Sequence, residues 1–281
     1  MSNKVEEIIT EKFIEALENG VCPWRKPWNG SATPQNFITK KPYNGINFFL
    51  LSLMPYSSPY WMTYKQASAK GGKVKKGEKA TLVTFWKLFK TTDKKTGEAK
   101  QIPLLRYYNV FNLEQCEGIE APASEEKPLD FCPIEEAEKF ASDYCEKEDL
   151  EVTFKENQAY YSPATDYVNM PRKESFKGEQ GYYSTLFHEL AHSTGHAKRL
   201  NRLEKCGFGS ESYAKEELVA ELSAAFACAE LGLDNTFGNS AAYLQGWIKK
   251  LKGDSKLLIS ASSYAKKAFT RLKCEEAEVY A

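Results

Sequence analysis

The chain has 281 residues, of which 42% are hydrophobic and 27% charged, with no net charge at neutral pH. These values exclude a disordered or fibrous chain, and the length favours two domains over one. No apolar run approaches the roughly 20 residues that span a bilayer. The opening MSNKVEEIITEKFIEALENG lacks an uninterrupted apolar core, so a cytoplasmic protein without a membrane partner is expected.

The zero net charge conceals an asymmetry. Residues 1–127 hold 19 Lys and Arg against 13 Asp and Glu, or +6, while 128–281 hold 19 against 25, or −6. Between Gly20 and Val110 there are 16 basic residues and three acidic ones, Glu78, Asp93 and Glu98, a local +13 that invites a polyanion. The seven cysteines are odd in number and widely spaced, with no CxxC pair, which fits free thiols in a reducing compartment.

In chain order, Val5, Ile8, Ile9, Phe13, Ala16 and Leu17 recur at helical spacing, and Gly20 follows where a left-handed cap belongs. The proline- and asparagine-rich stretch from Val21 to Asn47 reads as an ordered loop. Short helices are expected over 47–53 and 63–69, the second stopping at Gly71-Gly72. Two β-branched and aromatic runs, 80–90 and 102–113, flank a turn-like TTDKKTGE and predict a hairpin. GIEAPASEEKP has no periodicity and reads as a linker. Beyond it a helix starts at Pro133, strands are expected over 150–154, 158–161 and 166–169, and helices over 181–196, 213–231, 240–251 and 255–273. The expected fold is α+β in two domains, 1–118 and 129–281, joined by a linker over 119–128.

The chemistry concentrates in the second domain. His188-Glu189-Leu-Ala-His192 is an HExxH pattern within helix-forming sequence. At about 100° per residue the two histidines lie about 40° apart and one turn along the helix, so both imidazoles can reach one tetrahedral zinc. Glu189 falls beside them, where a carboxylate can take a proton from attacking water. All three histidines of the chain, His188, His192 and His196, fall within nine residues, which structural packing alone does not require. A third ligand must come from another element, and Glu217 on the following predicted helix is the best donor, with Glu216 its near competitor. Glu221, one turn further, is placed to orient a histidine ring from behind, a spacing that resembles thermolysin-like zincins. His196 sits in HExxHxxGH, where the metzincin position for a third histidine holds Lys198, so a role behind the ligands, at the substrate or as a cap is expected for it instead.

The basic half interleaves aromatics and cations. Trp24, Arg25, Lys26, Trp28, Lys40, Lys41, Tyr43, Asn44, Trp61, Tyr64, Lys65, Lys73, Lys75 and Lys76 are the candidate contacts to single-stranded DNA, combining stacking platforms with phosphate neutralisation. Phe85, Trp86, Tyr107 and Tyr108 share that vocabulary. The structural alternative is that the Trp and Phe residues are core and KGGKVKKGEK is a solvated turn.

Long motifs carry a family resemblance: PWRKPW from Pro23, PQNFITKKPYNGIN from Pro34, WMTYKQASAKGGKVKKGEK from Trp61, YYNVFNLEQ from Tyr107, HELAHSTGH from His188, RLNR from Arg199 and EELVAEL from Glu216. Through them the chain resembles the ArdC-type antirestriction proteins of mobile elements. That resemblance implies a domain that binds single-stranded DNA, a zincin-like domain with zinc on His188, His192 and Glu217, Glu189 as general base, and a host restriction component as substrate. Two other expectations stand beside it: a protein that shields single strands with zinc serving only the fold, and an accessory of a conjugative primase.

Overall fold

The computed structural model describes residues 4–24, 33–92, 99–122, 133–176, 178–203, 211–233 and 241–275. Arg25, Lys26, Trp28 and most of the expected linker lie outside them. The chain forms two compact units, residues 1–12 with 32–123 and residues 13–31 with 124–281. The segment 13–31, which the linear reading puts in the first domain, therefore groups with the second.

Helix α1 (Lys4–Glu18) buries the stripe Val5, Ile9, Phe13 and Leu17 and ends where Gly20, at φ 78°, lets the Val21 amide reach the Ala16 carbonyl. In the first unit, β1 (Gln35–Asn36) runs parallel to β2 (Tyr60–Met62), which pairs antiparallel with β5 (Ala99–Asn112), itself paired antiparallel with β4 (Thr81–Thr92). The β4–β5 hairpin keeps one register from Thr81↔Val110 to Thr92↔Ala99. Helix α2 (Ile46–Ser52) packs on its base, where the Asn47 side chain both accepts from the Thr84 amide and donates to the Thr84 carbonyl, each at 2.7 Å. Tyr43, Leu51, Trp61, Val83 and Val110 form the core beneath. Helix α3 (Tyr64–Ala69) starts at a reciprocal cap between Thr63 and Gln66 and leads to β3 (Lys73–Val74), which pairs with β6 (Cys116–Glu117).

In the second unit, α4 (Pro133–Glu148) precedes β7 (Glu151–Thr153), β8 (Tyr160–Ser162) and β9 (Tyr167–Asn169). They form a sheet of order β7-β9-β8, with β7 parallel and β8 antiparallel to β9. Helix α5 (Glu179–Ser193) lies against this sheet and against α4, α6 (Glu211–Leu231) and α8 (Leu257–Leu272), with α7 (Ala241–Gly253) between the last two in sequence. From Leu218 to Cys228 α6 is apolar on nearly all sides, the pattern of a helix surrounded by others. Its Ala220, Ala224 and Cys228 join Phe187, Leu190, Val168 and Met170 in one core. Among the described residues no helix is long and apolar enough to cross a membrane. Cys22, Cys116, Cys145, Cys228 and Cys274 are free thiols.

Candidate metal centre

Helix α5 presents His188 and His192 on one face, with their rings at 84° and 4.8 Å between centroids. Their Nε2 atoms stand 3.2 Å apart. From α6, Glu217 brings one carboxylate oxygen to 3.7 Å from His188 Nε2 and the other to 3.6 Å from His192 Nε2. The three groups offer ligand atoms within 4.8 Å of one another. Two donors each about 2.0–2.1 Å from a tetrahedral zinc stand about 3.3 Å apart, so the observed triangle needs only a small contraction to hold such an ion.

The electrostatics agree with a cation site. Burial alone would push the His188 imidazole down, but its hydrogen bond with Glu217 and the charges of Glu221, Glu189 and Glu217 outweigh it and raise the pKa to about 9. Burial would likewise raise Glu217, but His188, His192 and Tyr213 hold it down at about 2. Two imidazoles thus face a cluster of carboxylates whose negative potential is suited to a divalent ion. Glu189 is buried on the same helix. Tyr213, which opens α6, bonds to Glu217 and senses the charge of Glu189; burial and these two acids raise its hydroxyl to about 12. Tyr182 and Tyr183, on the histidine helix itself, are placed differently. Both are buried in the core, and the Tyr183 hydroxyl bonds to Glu138 and Lys173.

Behind the ligands lie two supports, of which sequence reasoning found one half. Glu216 is buried 3.5 Å from His192 Nδ1, on the side of the ring away from the cluster. Arg202 holds it with a two-pronged grip, Nε donating to Oε2 at 3.0 Å and Nη2 to Oε1 at 2.8 Å. The competitor for the ligand position is therefore a ring-orienting group. On the other side, Glu221 acts by charge on His188 and accepts from the Tyr243 hydroxyl at 3.0 Å, which in turn accepts from Trp24 Nε1 at 3.0 Å.

The helix carrying the histidines ends at Ser193, three residues earlier than its periodicity predicts. Ser193 and Thr194 turn their hydroxyls onto the Leu190 and Ala191 carbonyls, and the chain folds back so that both arginines of RLNR cap the helix end. Arg202 donates to the Ala191 carbonyl and to Thr194 Oγ1; Arg199 donates to the Ser193 carbonyl while gripping Asp166 and Glu148. Gly195 is required at this fold-back, because a Cβ there would lie 2.9 Å from Leu203 Cγ and 3.1 Å from both Arg202 Nη2 and the His192 carbonyl oxygen. Of the roles expected for His196, behind the ligands, at the substrate or as a cap, its contacts fit the last: with the helix over, its ring turns to Asp166 at 3.8 Å and accepts from the Lys198 amide.

The candidate DNA contacts divide. Trp24, Trp61 and Tyr43 are buried and are corrected to core residues, since a base cannot stack on a ring that packing already covers. Trp24 stacks on Phe13 and meets the edge of Trp247, inside the second unit. Lys40, Lys41, Asn44, Tyr64, Lys65, Lys73, Lys75 and Lys76 are exposed. Lys40 caps the rings of Phe37 and Tyr60 at 4.8 and 4.3 Å, Lys73 pairs with Glu117 at 3.1 Å, and Lys75 donates to the Glu114 carbonyl at 2.7 Å. The exposed hairpin aromatics were not among those candidates; alternation around Lys87 and Arg106 was the available signal.

Known proteins place this geometry. Residues 135–264 match a family of zincin-like metallopeptidases, and residues 3–111 match the N-terminal domain of the anti-restriction factor ArdC. Two Escherichia coli proteins named DNA primase TraC are 37% and 36% identical over 93% of this chain, which spans only 26% and 19% of their length. An uncharacterized protein, y4eC, of Sinorhizobium fredii is 34% identical, with 93% of this chain covering 89% of that one. The metal-free crystal structure of antirestriction protein ArdC from plasmid R388 superposes with a TM-score of 0.80 at 35% identity, covering 98% of this chain and 100% of that one. Its Mn(II)-bound form gives 0.78 at 36%, covering 99% and 100%. With both halves matched and the whole chain aligned to a solved member, this protein belongs to the ArdC-type antirestriction family, with an ArdC-type N-terminal domain and a zincin-like C-terminal domain.

Proposed function

We propose that the protein is an antirestriction factor of a mobile element in which a zinc-dependent peptidase site acts from a domain that holds single-stranded DNA. The convergence of His188, His192 and Glu217 into one ligand triangle beside buried Glu189 carries the peptidase half of this reading. Zinc is favoured over manganese because a two-imidazole, one-carboxylate set is a catalytic zinc set and because such donors bind zinc more tightly than manganese. A divalent ion held there would polarise a peptide carbonyl and acidify water.

The chain's own groups supply the rest. Glu189 takes the proton of the attacking water and passes it to the departing amine. Tyr213, its proton held firmly by burial and two acids, donates a hydrogen bond to the developing oxyanion. Glu216 fixes His192 and Glu221 fixes His188, so that both rings keep Nε2 toward the centre. The DNA half rests on the +13 charge of residues 20–110 and on the ArdC-type N-terminal domain. A host restriction component is the proposed protein substrate.

The test is elemental analysis followed by a single change of base. Wild-type protein should carry near-stoichiometric zinc, Glu217→Ala should lose most of it, and Glu189→Gln should keep the metal yet lose proteolysis and protection of incoming DNA. Absence of zinc, together with failure to take it up, overturns the site. Full protection in Glu189→Gln moves the function to shielding of single strands. A second reading, an accessory module of DNA primases, is favoured by the two TraC matches, and primer synthesis stimulated by added protein would support it.

A further inference from the structure

Beyond Thr84 the β4–β5 hairpin leaves the core that covers its base. Thr81, Val83, Thr84 and Val110 are buried, but the next four residues of β4, Phe85 to Leu88, are exposed, and on β5 Arg106, Tyr107 and Tyr108 are exposed while Leu105 stays buried. Phe85 is 42% exposed, Trp86 54%, Leu88 52%, Tyr107 52% and Tyr108 36%, with Lys87 and Arg106 exposed among them. The register sets Phe85 opposite Arg106 and Trp86 opposite Leu105, so one face carries Phe85, Lys87, Arg106 and Tyr108 and the other Trp86, Leu88 and Tyr107. On the first face the rings of Phe85 and Tyr108 touch diagonally, with centroids 5.7 Å apart. These side chains form the largest group of exposed large hydrophobics among the described residues.

Exposed aromatics are normally a liability on a two-stranded ribbon, which invites pairing with another chain. Here the chemistry of the ribbon narrows the partner. Residues 81–112 hold six basic residues, Lys87, Lys90, Lys94, Lys95, Lys100 and Arg106, against Asp93 and Glu98, a net +4. An acidic partner is required. A ribbon can also enter the major groove of duplex DNA, but there it reads base edges with hydrogen-bonding side chains. Positions 85–88 and 106–108 are Phe, Trp, Lys, Leu, Arg, Tyr and Tyr, so ring and aliphatic faces outnumber the two cations, Lys87 and Arg106, that could reach a base edge or a phosphate. Flat rings interleaved with cations suit bases whose faces are free and phosphates that follow them, the condition of a single strand.

We infer that the exposed ribbon formed by Phe85–Leu88 and Arg106–Tyr108 is the stacking platform for single-stranded nucleic acid, with Trp86 and Tyr107 on one face and Phe85 and Tyr108 on the other. This rests on the proposed DNA-binding role of the first domain and replaces Trp24, Trp61 and Tyr43 as its aromatic contacts. The ribbon's backbone is paired from end to end, so its side chains are exposed without loss of strand structure.

The experiment is anisotropy of a labelled oligothymidine titrated with the full-length chain, with intrinsic tryptophan fluorescence read in parallel. Wild type should bind with an affinity that falls steeply with salt, and Trp86→Ala/Tyr107→Ala should weaken binding by about tenfold or more. Tyr264→Ala, an exposed aromatic of the second unit, should leave it unchanged. Trp86→Phe, which keeps a ring, should bind within about threefold of wild type yet lose most of the DNA-induced tryptophan quenching, a signature that misfolding would not reproduce. Tight binding by wild type with equal binding by the double variant overturns the ribbon and leaves the DNA-binding role intact. No binding by wild type at low salt overturns that role itself, and equal affinity for duplex overturns the choice of single strands.

Discussion

Around His192 the functional groups are held by a second layer of buried partners, whereas around Trp86 they stand exposed on a paired backbone, with Phe85 and Tyr108 in contact with each other. The imidazole has Glu216 behind it, Glu216 has Arg202, and Arg202 is itself seated on the Ala191 carbonyl and the Thr194 hydroxyl. The indole has open solvent on its outer face. The difference follows from what each ligand demands. A metal ion fixes donor positions to a few tenths of an ångström, so its ligands need rigid support. Stacking on a base tolerates sliding and exchange, so a rigid strand with mobile rings is enough.

The strongest way to break this comparison is to truncate one tryptophan from the core and one from the ribbon. Trp61→Ala should cost about 3–5 kcal/mol of unfolding free energy, since Trp61 is fully enclosed. Trp86→Ala should change it by no more than about 0.5 kcal/mol. Denaturant unfolding followed by circular dichroism measures both, and comparable losses would show that the ribbon is part of a core. A smaller effect sharpens the metal side. Arg202→Lys keeps the charge beside Glu216 but loses the two-pronged grip, and zinc affinity measured by chelator competition should fall by about 10- to 100-fold with little change in fold. Unchanged affinity would reduce the Arg202–Glu216 pair to a helix cap.

The smallest expected effect concerns the cap itself. Burial alone would raise the Asp166 carboxyl, but Arg199, Tyr161 and the charge of His196 hold it below its ordinary 3.8. A carboxyl lowered by folding contributes stability above its unfolded value and loses it as pH falls through the folded one. Asp166→Asn should therefore lower the neutral plateau of stability and flatten the acid limb below about pH 4, where the wild-type contribution is lost. An acid limb identical to wild type would place the proton uptake elsewhere.

Spacing alone determined much of this protein. Periodicity together with proline and glycine signals indicated the eight helices of the described residues, the β-branched runs indicated the hairpin, and HExxH with an acid on the next helix indicated the three groups that converge in the structure, because each is a local rule written in residues close along the chain. What tertiary structure decided is the partner of each side chain. Glu216 and Glu217 are neighbours in sequence and both face the histidines, yet only the fold puts one at Nε2 and the other at Nδ1 with Arg202 behind it. Trp24 and Trp86 are equally aromatic and each lies beside cations in sequence, yet one is sealed between Phe13 and Trp247 while the other stands in solvent. Residue type records which contacts a side chain is able to make. Burial and long-range packing, which no local pattern encodes, select among them.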